Sequence, residues 1–409
     1  MPSTKNANPV LTVFLTVFID LLGVTIIIPI LAPLLLKEDV ILGPEYTETA
    51  RNVIYGLLLG SYSFLQFFSA PLLGTMSDKY GRRKVLNYSL LLTLLGYVVF
   101  TIAVMDNSLV GLFIGRSLAG LASGNLAVIN SAMADISKPE DKAKNFGIIG
   151  MAFGIGFVIG PVLGGVLASS ELVSWFNYST PFMFSALLVV INILLVYFNF
   201  PETLKNPNPN ARISPLNGFR NIGKAFRNAE MRNTYLMIFF FYLGFSFFTQ
   251  FFQPFLIKKF DFGTNEIGYL FGFVGIVIAI TQGILVRVFS KRFEPKATIR
   301  ITLVGLVISF LILLFPDNVM GLYMVIPGVA LFQGLTAPNL SAIVSNSAGK
   351  DVQGEALGIQ QSMQSLANMI PPLVGGVAVS LLISLPILLA ATCTLIAWGI
   401  FMFSQRKSS

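Results

Sequence analysis

The sequence predicts an all-α integral membrane protein of twelve transmembrane helices arranged as two six-helix bundles, and three observations support this fold class. The chain of 409 residues is 55% hydrophobic and only 11% charged, whereas a soluble chain carries about 25% charged residues. Its apolar residues come in runs of about 20 or more, the length that crosses a ~30 Å hydrocarbon core. One long polar interval, residues 201–230, divides these runs into six and six.

The apolar runs follow one another along the chain, and each is expected to form a membrane-spanning helix. The first run is too long for the core of a signal peptide, and no small-residue cleavage site follows it, so we expect it to be retained. The predicted spans are 9–36, 52–75, 85–104, 109–134, 145–169, 180–200, 232–257, 267–289, 298–315, 320–347, 356–382 and 385–404. The predicted domains are an amino-terminal bundle at 1–200, a cytoplasmic linker at 201–230 and a carboxy-terminal bundle at 231–409.

The basic residues predict the orientation of the chain. Cytoplasmic connections of membrane proteins are enriched in Lys and Arg. With the amino terminus inside, 22 of the 27 Lys and Arg residues fall on the cytoplasmic side, four fall on the opposite side, and Arg116 lies within a span. Both termini are therefore expected in the cytoplasm. The same asymmetry accounts for the net charge of +8, so the basic balance does not indicate a nucleic-acid partner.

The chain contains no His and one Cys, Cys393, in the last predicted span. We therefore expect neither disulfide bonds nor Cys/His metal sites. Because His is not available as a proton carrier, a proton handled inside the membrane would have to bind a carboxylate. The expected cofactor and metal content is none.

Asp20 lies deep inside the first apolar run. A charge at that depth costs about 2.5–3.5 kcal/mol on insertion scales, so its presence indicates a function. Arg116, in span four, lies at a similar depth: at 1.5 Å per residue, Asp20 is about 16 Å from the inner end of its span and Arg116 about 10 Å from the outer end of its own. We predict that Asp20 binds the proton and that Arg116 favours its charged form, although the long Arg side chain could instead extend to the interface.

The connection between spans two and three contains an acid among its basic residues. It reads Gly74-Thr-Met-Ser-Asp78-Lys-Tyr-Gly81-Arg82-Arg83-Lys84. Gly74 would permit a close helix contact and Gly81 a tight turn, and Asp78 could pair with the basic side chains or face a helix amino terminus. Topology alone would explain the basic residues but not Asp78. The candidate residues of this connection, taken together with Asp135 at the end of span four, are Gly74, Asp78, Gly81, Arg82, Arg83 and Asp135.

Span five has a regular series of small residues, which let membrane helices approach closely. Span eight offers a partner surface in Gly268, Gly272 and Gly275. The Gly-Pro pair in span five would loosen that helix. The alternative is that this series only allows helices to pack and has no bearing on the direction of transport. The series consists of Gly147, Gly156, Gly160, Pro161, Gly164 and Gly165.

These motifs resemble those of the major facilitator superfamily. The Gly74–Lys84 loop is similar to its cytoplasmic loop signature, Arg116 to Gly120 resembles its RxxxG pattern, and the span-five spacing resembles that of its drug and metabolite antiporters. Asp20-Leu-Leu-Gly23 with Pro29, and the segment from Tyr62 to Gly74, look like the tetracycline-resistance efflux family. The resemblance covers the amino-terminal half well and the carboxy-terminal half chiefly from Gly358 to Pro372. It implies the major facilitator fold, with the loop as a latch that closes the inward side. The candidate residues of that loop, with Asp135, would then form a cytoplasmic gate.

Two departures separate the chain from the best-known members of that efflux family. Those members carry further membrane acids in spans three and nine. Span three here reads Leu95-Gly96-Tyr97, and residues 301–315 of span nine contain no acid. The resemblance therefore implies the drug-antiporter branch without implying tetracycline as the substrate.

The predicted substrate cavity is aromatic and apolar, with amide groups. Amides within hydrocarbon need partners, so the amide face of span eleven is expected to meet ligand, water or protein. For the Phe residues of span seven, packing or lipid contact is the favoured alternative. Such a pocket suits a bulky amphipathic molecule. The candidate residues are Tyr62, Gln66, Asn125, Phe241, Phe245, Phe248, Gln250, Gln253, Gln333, Gln360, Gln361, Gln364 and Asn368.

The sequence thus favours a proton-coupled antiporter of the cell membrane that exports a hydrophobic or amphipathic small molecule by alternating access, as multidrug efflux and antibiotic-resistance proteins do. A proton-coupled metabolite symporter and a lipid flippase are the alternatives. A membrane enzyme is disfavoured because no nucleophile–base constellation is present. We expect a monomer whose partners are the substrate, protons and the lipid bilayer. The basic stretch Phe219–Arg227 could be an amphipathic helix on the inner leaflet or a solvated linker.

Overall fold

The structure is a computed structural model in which every regular element is helical among the residues it describes. Those residues are 9–37, 41–137, 142–170, 173–204, 207, 213–214, 216–227, 231–347 and 353–408. Parts of the predicted linker, namely 205–206, 208–212, 215 and 228–230, lie outside the described residues.

The first half of the chain contains seven helices. They are α1 (Pro9–Ile26), α2 (Glu48–Tyr80), α3 (Arg82–Met105), α4 (Leu109–Ala122), α5 (Asn125–Ile136), α6 (Lys142–Ala168) and α7 (Thr180–Asn199). The first predicted span, 9–36, is interrupted: α1 ends at Ile26, turns lead through Pro29, and a π-helical turn occupies Pro33–Lys37. Proline causes this because it lacks an N–H and its ring clashes with the preceding helical turn.

The second half contains eight helices. They are α8 (Asn217–Arg227), α9 (Arg232–Phe260), α10 (Thr264–Ile280), α11 (Val286–Arg292), α12 (Pro295–Ile312), α13 (Val319–Ser347), α14 (Gln353–Leu381) and α15 (Leu385–Ser408). A π-helical segment, Thr281–Leu285, joins α10 to α11.

Within the described residues, nine helices are long and apolar enough to cross a membrane, and Val10–Ile26 and Gly154–Ala168 are shorter apolar helices. The prediction of an all-helical, multi-span chain is confirmed at this level. Span four, expected as one helix, is divided into α4 and α5 at Ser123 and Gly124.

The chain forms two compact units. The first comprises Met1–Gly43, Phe64–Asn217 and Thr264–Gly272, and the second comprises Pro44–Ser63, Gly218–Gly263 and Phe273–Ser409. In the first unit α1 packs against α5, α6 and α7, and α3 packs against α4, α5 and α7. In the second unit α9 packs against α14 and α15, and α12 packs against α13 and α15. The contacts of α1 with α5 and α6 position the site described next.

Candidate functional site

Asp20 lies in α1, and its carboxylate is held by an amide. Oδ1 of Asp20 accepts a hydrogen bond of 3.3 Å from Nδ2 of Asn125, the first residue of α5. Asp20 is partly buried, whereas Asn125 is only 3% exposed. Among the helices that the structure describes, Asp20 is the acid farthest from a helix end, since the other helical acids lie within a turn of one.

Ser89 extends this arrangement to a third helix. The Ser89 hydroxyl in α3 donates to Oδ1 of Asn125, which leaves the amide nitrogen directed at Asp20. The Ser89 oxygen also lies 3.0 Å from the carbonyl oxygen of Leu86, a second acceptor for its single proton. Asp20, Asn125 and Ser89, which we call the Asp20 cluster, join α1, α5 and α3 by side-chain hydrogen bonds.

Asn125 directly follows the break in span four. At Ser123 and Gly124 the chain leaves the regular helix, and carbonyls near the break need other donors. The hydroxyls of Ser123 and Ser69 both donate to the Gly120 carbonyl, at 2.7 and 3.0 Å. A Cβ on Gly124 would lie 2.9 Å from Cβ of Leu73, so the close approach of α2 requires glycine there.

Arg116 lies in α4 and is partly buried. In the described part of the chain, the carboxylate of Asp20 is hydrogen-bonded to Asn125 and forms no ion pair with Arg116, which takes part in other interactions. The coupling of Asp20 and Arg116 remains a prediction. The sequence placed Asn125 in the substrate cavity, whereas its side chain here bonds the Asp20 carboxylate and the Ser89 hydroxyl.

The gate residues converge on Arg82. Its guanidinium donates to Asp78 at 2.5 Å, to Asp135 at 3.0 Å and to the Ser77 hydroxyl at 2.6 Å. Arg82 is 6% exposed, so water does little to satisfy its donors. These residues, which with Glu202 we call the Arg82 cluster, join the ends of α2, α3 and α5.

Glu202 completes the Arg82 cluster. Its carboxylate accepts from the backbone N–H groups of Arg82 at 2.9 Å and Arg83 at 3.2 Å, at the amino terminus of α3. Free N–H groups and a positive helix end favour an anion at this position. Gly81 has φ +100°, and a Cβ there would lie 2.5 Å from the Glu202 carboxylate, so glycine is required on both counts. Thr203 donates to Asp135 at 3.1 Å and ties the same segment to α5.

The remaining gate residues lie to the side. Gly74 is loosely packed, because a Cβ there would make only an ordinary 3.9 Å contact with Ala127. The Arg83 side chain donates to the backbone carbonyl of Tyr197 and lies 5.7 Å from the centre of its ring. The residues predicted to form the gate therefore have their polar centre at Arg82, with Arg83 bound to α7.

The glycines of span five are contact points for two helices. A Cβ on Gly160 would overlap Thr25, and one on Gly164 would overlap the carbonyl of Ile26, so α6 packs directly on the α1 backbone. The Thr25 hydroxyl also lies 2.9 Å from the Gly156 carbonyl. On its other side α6 meets α10, where a Cβ on Gly268 would lie 2.6 Å from the carbonyl of Pro161. Gly147 lies in the first turns of α6, and the expected contact with span eight is confirmed at Gly268 and Gly272.

The candidate cavity residues fall in both units. Gln66 and Asn125 belong to the first, and the others belong to the second. Nε2 of Gln250 donates to Ser246 at 2.5 Å and to the carbonyl of Asn368 at 3.1 Å, while Nε2 of Gln360 donates to Ser341 at 2.8 Å. The amide oxygens of Gln333 and Gln360 are buried without a hydrogen-bond partner among the described residues. Gln361 is exposed, Gln253 is buried, and Tyr62, Gln364 and Asn368 are partly buried.

The Phe residues of α9 pack within the second unit. Phe248 lies 4.6 Å from Phe252 and 5.1 Å from Phe310 in α12, between ring centres. Phe241 is fully buried, and Phe245, stacked beside it, is partly exposed. These contacts favour the packing alternative for Phe241 and Phe248 and leave Phe245 as the most accessible ring of the three.

A comparison with known families decides what kind of protein this is. The Major Facilitator Superfamily profile matches residues 13–372, which is most of the chain. The chain belongs to this superfamily. It is therefore a transporter rather than an enzyme, and a multi-pass protein of the cell membrane that carries small molecules.

Similar proteins span nearly the whole transporter. It is 29% identical over 382 residues to the class H tetracycline resistance protein of Pasteurella multocida, which covers 90% of this chain and 88% of that protein. It is 30% identical over 388 residues to the class E protein of Escherichia coli, with 89% and 86% covered. It is 28% identical over 403 residues to major facilitator superfamily domain-containing protein 10 of Mus musculus, with 89% and 86% covered.

Solved structures share the fold of the transporter. The human organic anion transporter MFSD10 (TETRAN) aligns with a TM-score of 0.75 at 23% identity and covers 98% of this chain and 100% of that one. A D-xylose–proton symporter aligns with a TM-score of 0.75 at 16% identity, with 95% and 97% covered. The recognition of the superfamily and of the tetracycline-resistance relatives is confirmed.

Ser77, Ser89, Glu202 and Thr203 contribute polar contacts to the two clusters and were not among the predicted site residues. Nothing in the sequence pointed to Ser89 as a site residue, because a Ser within an apolar helix is common. Glu202 did give a signal: it follows the end of α7 at Asn199 as Pro201-Glu202-Thr203, an acid ahead of a basic stretch. Counting that segment as linker hid its contact with the start of α3.

Proposed function

We propose that this transporter is a proton-coupled antiporter that exports a hydrophobic or amphipathic small molecule by alternating access. It would have twelve spans, cytoplasmic termini and a monomeric state, and protons would be its coupling ions. The Asp20 cluster carries the proposal: a carboxylate deep within a helix is costly unless it has a use, and this one has a dedicated amide donor.

The chemistry of Asn125 suits a site that must exist with and without a proton. Its NH₂ group donates to a charged Asp20 while its oxygen accepts from Ser89. If Asp20 is protonated, its O–H can donate to the amide oxygen after the amide turns over, and the NH₂ group can then donate to Ser89, whose own proton satisfies the Leu86 carbonyl. Each protonation state of Asp20 then has a complete set of partners. The hydrogen-bond pattern of α3, α5 and α1 would change with the proton.

The Arg82 cluster would close the cytoplasmic side of the antiporter. Asp78 and Asp135 hold one buried guanidinium between the ends of three helices. Alternating access requires such contacts to form and break in each cycle, with substrate bound near the middle of the membrane. Charge-assisted hydrogen bonds suit this use because they are directional and can be exchanged for water when the site opens.

The substrate class rests on the amides and on relatives. Gln333 and Gln360 keep buried amide oxygens without a hydrogen-bond partner among the described residues, which favours a ligand that donates a hydrogen bond. The tetracycline resistance proteins of classes H, E and D are relatives at 29%, 30% and 27% identity. Spans three and nine of this chain have no acid, so we propose an amphipathic drug-like molecule rather than a metal-chelated one.

An organic anion is the second candidate substrate. The human organic anion transporter MFSD10 shares the fold, and its mouse counterpart is 28% identical. Arg116, a cation partly buried in α4, would attract an anionic substrate while keeping the interactions it already makes.

The test uses the full chain in proteoliposomes with an acidic interior and the membrane potential clamped. A panel of dyes, antibiotics, labelled lipids and organic anions is offered outside. One proton per cycle and a pH difference of one unit support about tenfold accumulation, since a tenfold ratio corresponds to about 1.4 kcal/mol. Asp20→Asn should abolish this accumulation while downhill exchange persists. Asp106→Asn, at an exposed acid after α3, is the matched control.

Each alternative gives a different result in the same vesicles. Accumulation only when the exterior is acidic would indicate a symporter. Movement of labelled lipid between leaflets would indicate a flippase. Undiminished accumulation by Asp20→Asn would show that the proton binds elsewhere.

A further inference from the structure

Helix α8 has three faces of different chemistry. At 3.6 residues per turn, positions seven apart share a face. Gly218 and Ala225 are seven apart and buried; Phe219 and Phe226 are seven apart and 47% and 49% exposed. The third face is basic and exposed, formed by Arg220, Lys224 and Arg227.

The buried face attaches α8 to the second unit. Nδ2 of Asn221, which lies on the same side as Gly218 and Ala225, donates to the Ser362 hydroxyl of α14 at 3.0 Å. This contact fixes the rotation of the helix about its axis. With the helix in this orientation, the side chains of Phe219 and Phe226 keep 47% and 49% of their surface exposed.

The chain holds α8 close to the membrane surface. Arg227 ends α8 and Arg232 begins the membrane-spanning α9. Five residues reach at most about 18 Å even when fully extended, so the end of α8 cannot leave the vicinity of the bilayer. A helix with aromatic residues on one face and Lys and Arg beside it binds at the boundary between headgroups and acyl chains.

We propose that α8 is an interfacial helix that binds anionic lipid, with Phe219 and Phe226 inserted at the acyl boundary and the basic face among lipid headgroups. Charge complementarity favours an anionic lipid surface over a protein, because α8 contains no acid and the inner leaflet is negatively charged. The proposal is independent of what the transporter carries.

The test compares two faces of the same helix in the full-length protein. Cys393 is the single, buried cysteine, so Cys393→Ala provides a background for spin labels. With Phe226→Cys, the label should be accessible to oxygen and shielded from a water-soluble nickel reagent in vesicles containing phosphatidylglycerol. With Lys224→Cys, the label should be accessible to the nickel reagent. Equal nickel accessibility of the two labels would overturn the proposal.

The charge requirement has its own arm. Replacing Arg220, Lys224 and Arg227 together by Gln should remove the dependence of the position-226 label on anionic lipid, since each basic side chain favours the surface by about fivefold. A label at 226 that is equally buried in phosphatidylcholine and phosphatidylglycerol vesicles would also overturn the anionic-lipid assignment. All three side chains are exposed, so the variant should fold, which an unchanged thermal midpoint would confirm.

Discussion

Arg82 bonds two carboxylates of unequal exposure, and double-mutant cycles should separate their contributions. The oxygen of Asp78 is nearer, at 2.5 Å, but its side chain is 48% exposed. The oxygen of Asp135 is at 3.0 Å, and its side chain is 26% exposed. Exposed pairs contribute about 0.2–1 kcal/mol because water screens them. A hydrogen bond to a charged group contributes about 1.5–3 kcal/mol, which partial solvent access to Asp135 reduces to about 1–2 kcal/mol.

Burial should therefore outweigh distance, and Arg82 should couple more strongly to Asp135 than to Asp78. The variants are Arg82→Ala, Asp78→Asn, Asp135→Asn and the two doubles, all followed by thermal unfolding in one detergent. For domains of 150–250 residues, 1 kcal/mol moves the midpoint by about 2–4 °C, so we expect coupling of about 2–8 °C with Asp135 and about 0.4–4 °C with Asp78. A coupling with Asp78 that equals or exceeds that with Asp135 refutes the reasoning.

An exposed ion pair elsewhere serves as the control for these cycles. Lys258 and Glu48 are paired with side chains 53% and 64% exposed. A cycle on Lys258→Gln and Glu48→Gln should show no measurable coupling, since exposed pairs are the weakest class. If this pair showed coupling as large as that of Arg82 with Asp135, the assay would be responding to the loss of charge and not to the burial of the pair.

Three further predictions concern other parts of the transporter. Asn125→Leu should weaken proton-driven accumulation in proteoliposomes at least severalfold while leaving downhill exchange intact; unchanged accumulation would remove the amide from the mechanism. Gly160→Ala should lower the thermal midpoint, because overpacking costs about 1–3 kcal/mol, whereas Gly399→Ala, whose Cβ would meet nothing within 4 Å, should not. Glu202→Ala should cost about 1 kcal/mol by uncapping α3, and equal midpoints for Glu202→Ala and wild type would contradict the cap.

The sequence predicted those parts of the fold that depend on residues close together along the chain. Hydropathy identifies membrane helices because an apolar segment within lipid must form its backbone hydrogen bonds internally, as a helix does. The glycines of α6 predicted its close packing, because a small side chain lets a neighbouring helix approach closely whichever helix that is. The Gly74–Lys84 loop predicted that Asp78 could pair with basic side chains near it in the sequence, and Arg82 is the one that it bonds.

Other features depend on tertiary packing, which neither the periodicity of the sequence nor the depth of a residue along its helix reveals. Depth along a helix gives the height of a side chain but not its direction around the axis, so similar depth could not distinguish Arg116 from Asn125 as the partner of Asp20. Glu202 meets Arg82 across 120 residues of chain, a contact set by tertiary packing. The break at Ser123 and Gly124 does not alter the hydropathy of span four and was therefore missed.

The break at Ser123 and Gly124 would allow α5 to tilt separately from α4. Asn125 is the first residue of α5 and Asp135 lies ten residues on, about 15 Å at 1.5 Å per residue. A tilt of about 10° at the break would swing Asp135 through about 2.6 Å by this geometry, comparable with its 3.0 Å hydrogen bond to Arg82. A continuous helix would have to move as a whole to do the same. The short α5 thus connects the residue that touches Asp20 to a residue that holds Arg82.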